Sequence, residues 1–296
     1  MEQVLTADPA VEAPLGLNLP WTESPFFERH LAQADLDPAT ADMVSRFARD
    51  GFLVFDPEIE RLDAFSEKLI ADLAPRYPEG GRLQDAWTYS PQARALAMAP
   101  RVLEILRVLY NREPIPFQTL NFPQGTQQAT HSDCIHFSSV PERFMCGVWI
   151  ALEDIDADNG PLHYYPGSHR LPVYDMHSLG LFGSQIHDHR TLYDRYEEFV
   201  ADMVEALDLK RRELYIRKGQ AMIWAANLLH GGSPIRDPKR SRHSQVTHYY
   251  FSGCMYYTPL FSDPILGRTE FRRITDIRTG QEVAHYYLGN RVNMGG

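Results

Sequence analysis

A chain of 296 residues with 44% hydrophobic and 23% charged residues has the make-up of a globular protein able to bury a sizeable core. Its formal net charge of −10 argues against a nucleic-acid or anionic-membrane partner, because phosphate recognition needs a cationic footprint. Three cysteines, Cys134, Cys146 and Cys254, show no paired spacing, so no disulfide framework is expected and a reducing compartment is the simplest inference.

The N-terminus has neither the basic nor the apolar stretch of a signal peptide. The longest uncharged run, Gly219 to Ile235, carries Asn227, His230, several glycines and Pro234, and is a poor membrane span. A cytoplasmic protein with no membrane partner is the expectation. Residues 1–38 are rich in Pro and Ala without a sustained period, and read as an extended arm. Asp37-Pro38 opens a predicted helix from Ala39 to Asp50, ended by Gly51. A short strand, Phe52 to Phe55, follows, then a helix from Glu58 to Ala74 and another over 92–111.

From Ile115 the texture changes. Short apolar or alternating runs at 115–122, 129–137, 144–152, 161–165, 213–216, 220–225 and 243–257 are separated by Gly, Pro, Asn and Asp. That pattern predicts an antiparallel sandwich or barrel. Residues 188–209 interrupt it with a charged helical stretch. No repeat or low-complexity linker appears, so one domain over 1–296 is expected, helices first and a double sheet second.

The chemistry gathers around His131-Ser132-Asp133 and His230. Residues i and i+2 on extended backbone point to one face, so His131 and Asp133 face together while Cys134 faces away. A histidine from a distant strand then completes a 2-His-1-carboxylate face. Such a face suits non-haem Fe(II) and leaves positions open for cosubstrate and oxygen. His-x-Asp alone is a weak signal. Its context is stronger: Asn159-Gly160-Pro161-Leu162 with Pro166-Gly167-Ser168-His169, then Gly219 to Trp224 leading into His230-Gly231, then arginines before the strand from His243.

In that combined order, over roughly residues 40–258, the chain resembles the phytanoyl-CoA dioxygenase-like family of Fe(II)/2-oxoglutarate oxygenases, which includes ectoine hydroxylase. The resemblance implies a double-stranded β-helix, a jelly-roll-like core buttressed by the N-terminal helices. It implies iron held by His131, Asp133 and His230, with 2-oxoglutarate and O₂ as co-reactants. It also implies an arginine that holds the cosubstrate carboxylate through a planar two-donor fork. Arg242, directly before its strand, is preferred, with Arg240 open as the alternative. Ser233 is a further candidate for the same carboxylate, and Gln118 and Asn121 are candidates on the cosubstrate side. His136, His163, His169 and His248 read as core or supporting groups.

Halogenating relatives replace the carboxylate ligand with a small residue, whereas this chain keeps Asp133, so oxidation is favoured. The expected function is hydroxylation of a C–H bond of a small polar molecule. Desaturation, epoxidation or ring formation with the same triad is the alternative, and a non-catalytic metal- or ligand-binding barrel a more distant one. Residues 174–209 are expected to form a lid over the barrel mouth. Substrate identity and oligomeric state stay open.

Overall fold

The change of texture at residue 115 marks a change of architecture. A computed structural model describes residues 6–7, 18–78, 81–186 and 188–293. Five helices precede the long strands: α1 (Phe27–Gln33), α2 (Pro38–Asp50), α3 (Leu62–Leu73), α4 (Pro91–Ala97) and α5 (Pro100–Tyr110). The boundaries of α2 follow local chemistry. The Asp37 carboxylate accepts from the Ala39 and Thr40 amides, and Gly51 ends the helix at φ 79°.

Three expectations need correction here. The arm is not extended throughout: residues 21–23 form a 3₁₀ turn and α1 follows, with the Trp21 indole donating to the Val108 carbonyl at 2.9 Å. Residues 1–5 and 8–17 of that arm lie outside the described residues. The second helix starts at Leu62 rather than Glu58, because Glu58 and Arg61 adopt left-handed backbone (φ 56° and 49°). The 92–111 stretch is two helices, since Pro100 cannot donate to a continuing ladder and instead opens α5.

Two antiparallel sheets then face each other. The larger has six strands in the order Phe52–Phe55, Ala221–Ala225, Met145–Ala151, Ser244–Phe251, Pro114–Phe122 and Leu83–Gln84. The smaller has His230–Gly232, Leu162–Tyr164 and Arg212–Glu213 in that order. Period-2 alternation sorts the side chains of the large sheet. Val148, Ile150 and Ile223 pack with the helices through Val44, Phe47, Leu69 and Leu106, whereas Trp149, Met222, Trp224 and Val246 face the small sheet. Helices therefore cover one face and the small sheet covers the other, as expected of a jelly-roll core.

The 129–137 run is not a strand. His131 makes a single bridge to His230, and Asp133 begins a 3₁₀ turn, Asp133–Ile135. The 188–209 insertion contains α6 (His189–Ala206), capped by the Asp188 carboxylate, with Leu192, Tyr196 and Val200 buried along one stripe. His187 lies outside the described residues. Among the described residues, no helix is long and apolar enough to cross a membrane.

Candidate metal centre

His131 and His230 are backbone partners. Each amide donates to the other's carbonyl, at 2.9 and 3.0 Å, which sets the two rings 4.5 Å apart, centre to centre. Ser132 is extended (φ −107°, ψ 139°), so the Asp133 carboxylate returns to the same face. His131 Nε2 lies 3.7 Å and His230 Nε2 3.9 Å from Asp133 Oδ1. One ligand atom from each of the three residues lies within 4.8 Å of the others, and all three residues are buried.

The tautomers follow from the neighbours. His131 Nδ1 lies 2.9 Å from the Ala129 carbonyl and His230 Nδ1 2.9 Å from the Leu228 carbonyl. A carbonyl only accepts, so each Nδ1 carries the proton and each Nε2 turns its lone pair inward. Burial pushes His230 down to about 4, so it is neutral and ready to ligate at neutral pH. Burial alone would raise the Asp133 carboxyl. The facing His230, His131 and His248 outweigh it and hold the group well below the usual carboxylate range.

The other Asp133 oxygen is approached by two residues, Trp224, which the sequence does not single out for this role, and His248, which reads from the sequence as a core or supporting group. The Trp224 indole donates to Oδ2 at 2.7 Å, and His248 Nε2 lies 3.7 Å from the same atom. Trp224 and His248 sit on strands flanking Gly147, each opposite it in register. A Cβ on Gly147 would collide with the Trp224 indole ring, so only glycine leaves room for the orienting group. The Gly219 to Trp224 motif was visible in the sequence. That its tryptophan reaches the carboxylate depends on sheet register.

The triad lies in a cavity of about 500 Å³, lined also by Gln118, Phe122, Trp149, Gln128, Tyr193, Arg242 and His248. Arg242 is 1% exposed. Its Nη1 donates to the Gly160 carbonyl at 3.0 Å, its Nε has no partner, and Phe122 and Trp149 flank it. Gly160 adopts φ +74°, a turn that glycine accepts at no steric cost. Asn159 ties the same loop down by donating to the Asp154 and Ser241 carbonyls. Burial lowers Arg242 to about 10, which leaves it charged at neutral pH. Among the described residues Arg242 makes no ion pair, Glu153 acting on it only at longer range; a buried guanidinium so placed is costly, and an anionic ligand in the cavity would offset that cost. Arg240 differs. It is half-buried and makes two 2.8 Å bonds to Asp156, so its charge is already met outside the cavity.

Gln118 lines the cavity, 3.1 Å from His248 Nδ1 through Oε1. Two other candidates are placed elsewhere. Asn121 has the opposite strand parity to Leu120 and Phe122, and donates to Gln245, whose amide in turn donates to the Ala93 carbonyl on the helical side. Ser233 is buried three residues past His230, off the cavity, and accepts from Arg211 at 2.7 Å. Neither residue lines the cavity that holds the triad. His169 packs on Gly51 and lies 3.2 Å from the Ala48 carbonyl, away from the triad. Ser168 accepts from the Leu229 amide, bracing the residue before His230. Cys134 is buried, and burial pushes its thiol up to about 12.

Residues 47–244 match the family model for phytanoyl-CoA dioxygenase (PhyH). The ectoine dioxygenase of Halomonas elongata is 27% identical over 256 residues, covering 75% of this chain and 73% of that protein. The mouse phytanoyl-CoA dioxygenase domain-containing protein 1 is 32% identical over 89 residues, 29% of this chain. The match spans only 31% of that relative's length. Among solved structures, the non-heme alpha ketoglutarate dependent carbocyclase SnoK from nogalamycin biosynthesis superposes with a TM-score of 0.59 at 16% identity, covering 87% of this chain and 96% of that one.

Proposed function

Because this chain belongs to the phytanoyl-CoA dioxygenase family, we propose that it is an Fe(II)- and 2-oxoglutarate-dependent dioxygenase acting on a C–H bond of a small polar molecule. The carrying observation is one cavity that holds both a buried His-Asp-His set and a buried arginine that makes no ion pair among the described residues. Two neutral imidazole nitrogens and one carboxylate oxygen fit a divalent iron, and the free guanidinium edge of Arg242 fits a carboxylate. Iron and 2-oxoglutarate, when bound, supply the oxidising power, with O₂ as co-reactant.

The chain's own residues do the rest. His131, Asp133 and His230 would hold the metal on one face and leave the opposite side for ligands. Trp224 holds the Asp133 carboxylate by its second oxygen, so the first stays directed at the ligand position. Arg242 would fix the far carboxylate of the cosubstrate, and the aromatic walls around it keep water out. Asp133 supplies the carboxylate whose absence opens a halide position in halogenating relatives, so hydroxylation is the favoured outcome.

A small substrate is favoured by the cavity of about 500 Å³, and of the basic stretches outside it Arg211, Lys218 and Arg240 are engaged with Glu213, Asp63 and Asp156. We read the whole chain as one oxygenase domain, with 174–209 as its lid. His189 and Tyr193 of α6 line the cavity, and Tyr193 accepts from Gln128 at 3.2 Å, which joins the insertion to the site.

The test is anaerobic loading with Fe(II) and 2-oxoglutarate, followed by a succinate-release screen against small metabolites. One iron per chain and substrate-dependent succinate are expected. Failure of the purified chain to bind a divalent metal would sink the proposal. Product mass then separates hydroxylation from desaturation or ring closure by the same triad.

A further inference from the structure

Five charged side chains other than histidines line the cavity: Arg82, Arg242 and Arg272 against Asp133 and Glu270. On the oxygenase reading above, Asp133 is taken by the metal and Arg242 by the cosubstrate. Two guanidiniums then remain against one carboxylate, at the mouth of a protein whose net charge is −10.

Arg272 is held in place by backbone. Its amide donates to the Tyr256 carbonyl, the Thr258 amide donates to the Glu270 carbonyl, and Tyr257 and Phe271 form a bridge. This pairing extends the chain, so Glu270 and Arg272 turn into the cavity while Phe271 turns out. The Arg272 guanidinium lies over the Phe137 ring, 4.7 Å from its centre, and Phe137 lies 4.8 Å from the His248 ring. One aromatic layer therefore separates Arg272 from the residues around Asp133. Nη1 donates to the Thr258 hydroxyl at 3.1 Å, and Nε has no partner. Among the described residues, no carboxylate lies within ion-pair distance of Arg272. Arg82 is exposed and likewise makes no ion pair among them. It lies just before the edge strand Leu83–Gln84, two residues from Gln84, and both line the cavity.

We propose that Arg272, with Arg82 lining the same cavity, forms a carboxylate-binding subsite, so that the substrate is a small molecule with an anionic head. Nη1 is tethered to Thr258, which presets the guanidinium plane. Nη2 makes no bond among the described residues and is the donor turned to a ligand, with the buried, unpartnered Nε beside it as the second donor of a carboxylate-matching edge. Phe137 fixes the plane from one face. Arg272 lies beyond the region matched by the family model, which ends at residue 244, whereas Arg82, His131, Asp133, His230 and Arg242 lie within it. Substrate choice is then carried chiefly by the Arg272 segment, and the metal and cosubstrate by the shared part of the fold.

The inference rests on the proposed function, and the experiment keeps the two apart. The full chain is loaded with Mn(II) and N-oxalylglycine, an inert stand-in for the cosubstrate. It is then titrated calorimetrically with acid and amide pairs: acetate and acetamide, benzoate and benzamide, indole-3-acetate and indole-3-acetamide. At least one carboxylate should bind about tenfold or more tightly than its amide, the difference expected of one charge-assisted contact. Arg272→Gln should remove that preference. Arg272→Lys, which keeps the charge without the fork, should retain only part of it, and N-oxalylglycine affinity should stay within about twofold in both variants. Equal affinities in every pair would overturn the subsite, as would a preference that survives Arg272→Gln. A phenylphosphonate that binds more tightly than benzoate would overturn the carboxylate assignment. Absence of Mn(II)-dependent N-oxalylglycine binding is a separate result. It removes the oxygenase reading, and the acid and amide titration then judges the subsite on the unloaded chain.

Discussion

At the floor of the cavity, His131, Asp133, His230 and Arg242 are each 6% exposed or less. Each is fixed by a reciprocal backbone bridge, an indole donor or a glycine carbonyl. At the rim, Arg82 and Glu270 are exposed and Arg272 half-buried, and they come from the residue before an edge strand and from a late irregular segment. The floor is overdetermined: several independent contacts hold every group, so its geometry precedes any ligand. The rim groups make no ion pair among the described residues, and the Arg272 guanidinium donates to a hydroxyl alone. A fold that fixes one end of a cavity and leaves charge free at the other separates a constant reaction from a variable substrate.

That division can be broken by experiment, and the largest effects belong to the floor. His131→Ala, Asp133→Ala or His230→Ala should each abolish metal binding measured by calorimetry, and turnover with it. A variant that keeps both would dissolve the triad. Arg242→Gln should weaken 2-oxoglutarate by about 2–5 kcal/mol, read as a raised KM, because it deletes one partner of a buried charge pair. Arg240→Gln, which loses only a contact with Asp156 outside the cavity, should change KM by less than about twofold, since exposed ion pairs are worth roughly 0–1 kcal/mol. A larger loss in Arg240→Gln would exchange the two roles.

Trp224→Phe keeps the ring and removes the donor to Asp133. It should cost about 10–100-fold in metal affinity, the usual range for groups that orient a ligand. Gly147→Ala attacks the same contact from the neighbouring strand by displacing the indole. It should lower stability by about 1–3 kcal/mol in denaturant melts, and metal affinity should fall with it. If affinity falls in neither variant, Trp224 is packing alone. The smallest effect is expected at the insertion apex. Phe182 is 53% exposed, and Leu181→Ala with Phe182→Ala should change substrate-dependent turnover by a few-fold with metal affinity intact. Hydrogen exchange over 174–186 as slow as in the Ser244–Phe251 strand, with and without ligands, would make the segment a rigid wall instead of a lid.

Local chemistry carried much of the architecture. The Asp37 cap, the Gly51 stop, the alternation from 115 onward and the helical stripe of α6 can all be read without a fold, because each depends on residues within a turn or two. His131, Asp133 and His230 could be nominated from spacing and order. Arg242 was preferred over Arg240 on its place before a strand, and its burial, its unpaired Nε and Arg240's bond to Asp156 support that preference. The sequence by itself therefore determined most of the element types, though not the 3₁₀ turn at Asp133 or the helix within the arm, and it nominated the segments that supply the ligand chemistry. Tertiary structure alone decided which side of each strand meets the cavity. A shift of one residue turned Asn121 toward Gln245 and Ser233 toward Arg211, and strand register across Gly147 brought Trp224 and His248 onto one carboxylate. It also decided that Arg272, 139 residues after Asp133, shares a cavity with it. Such pairings are set by how sheets close on each other, and no local pattern encodes them.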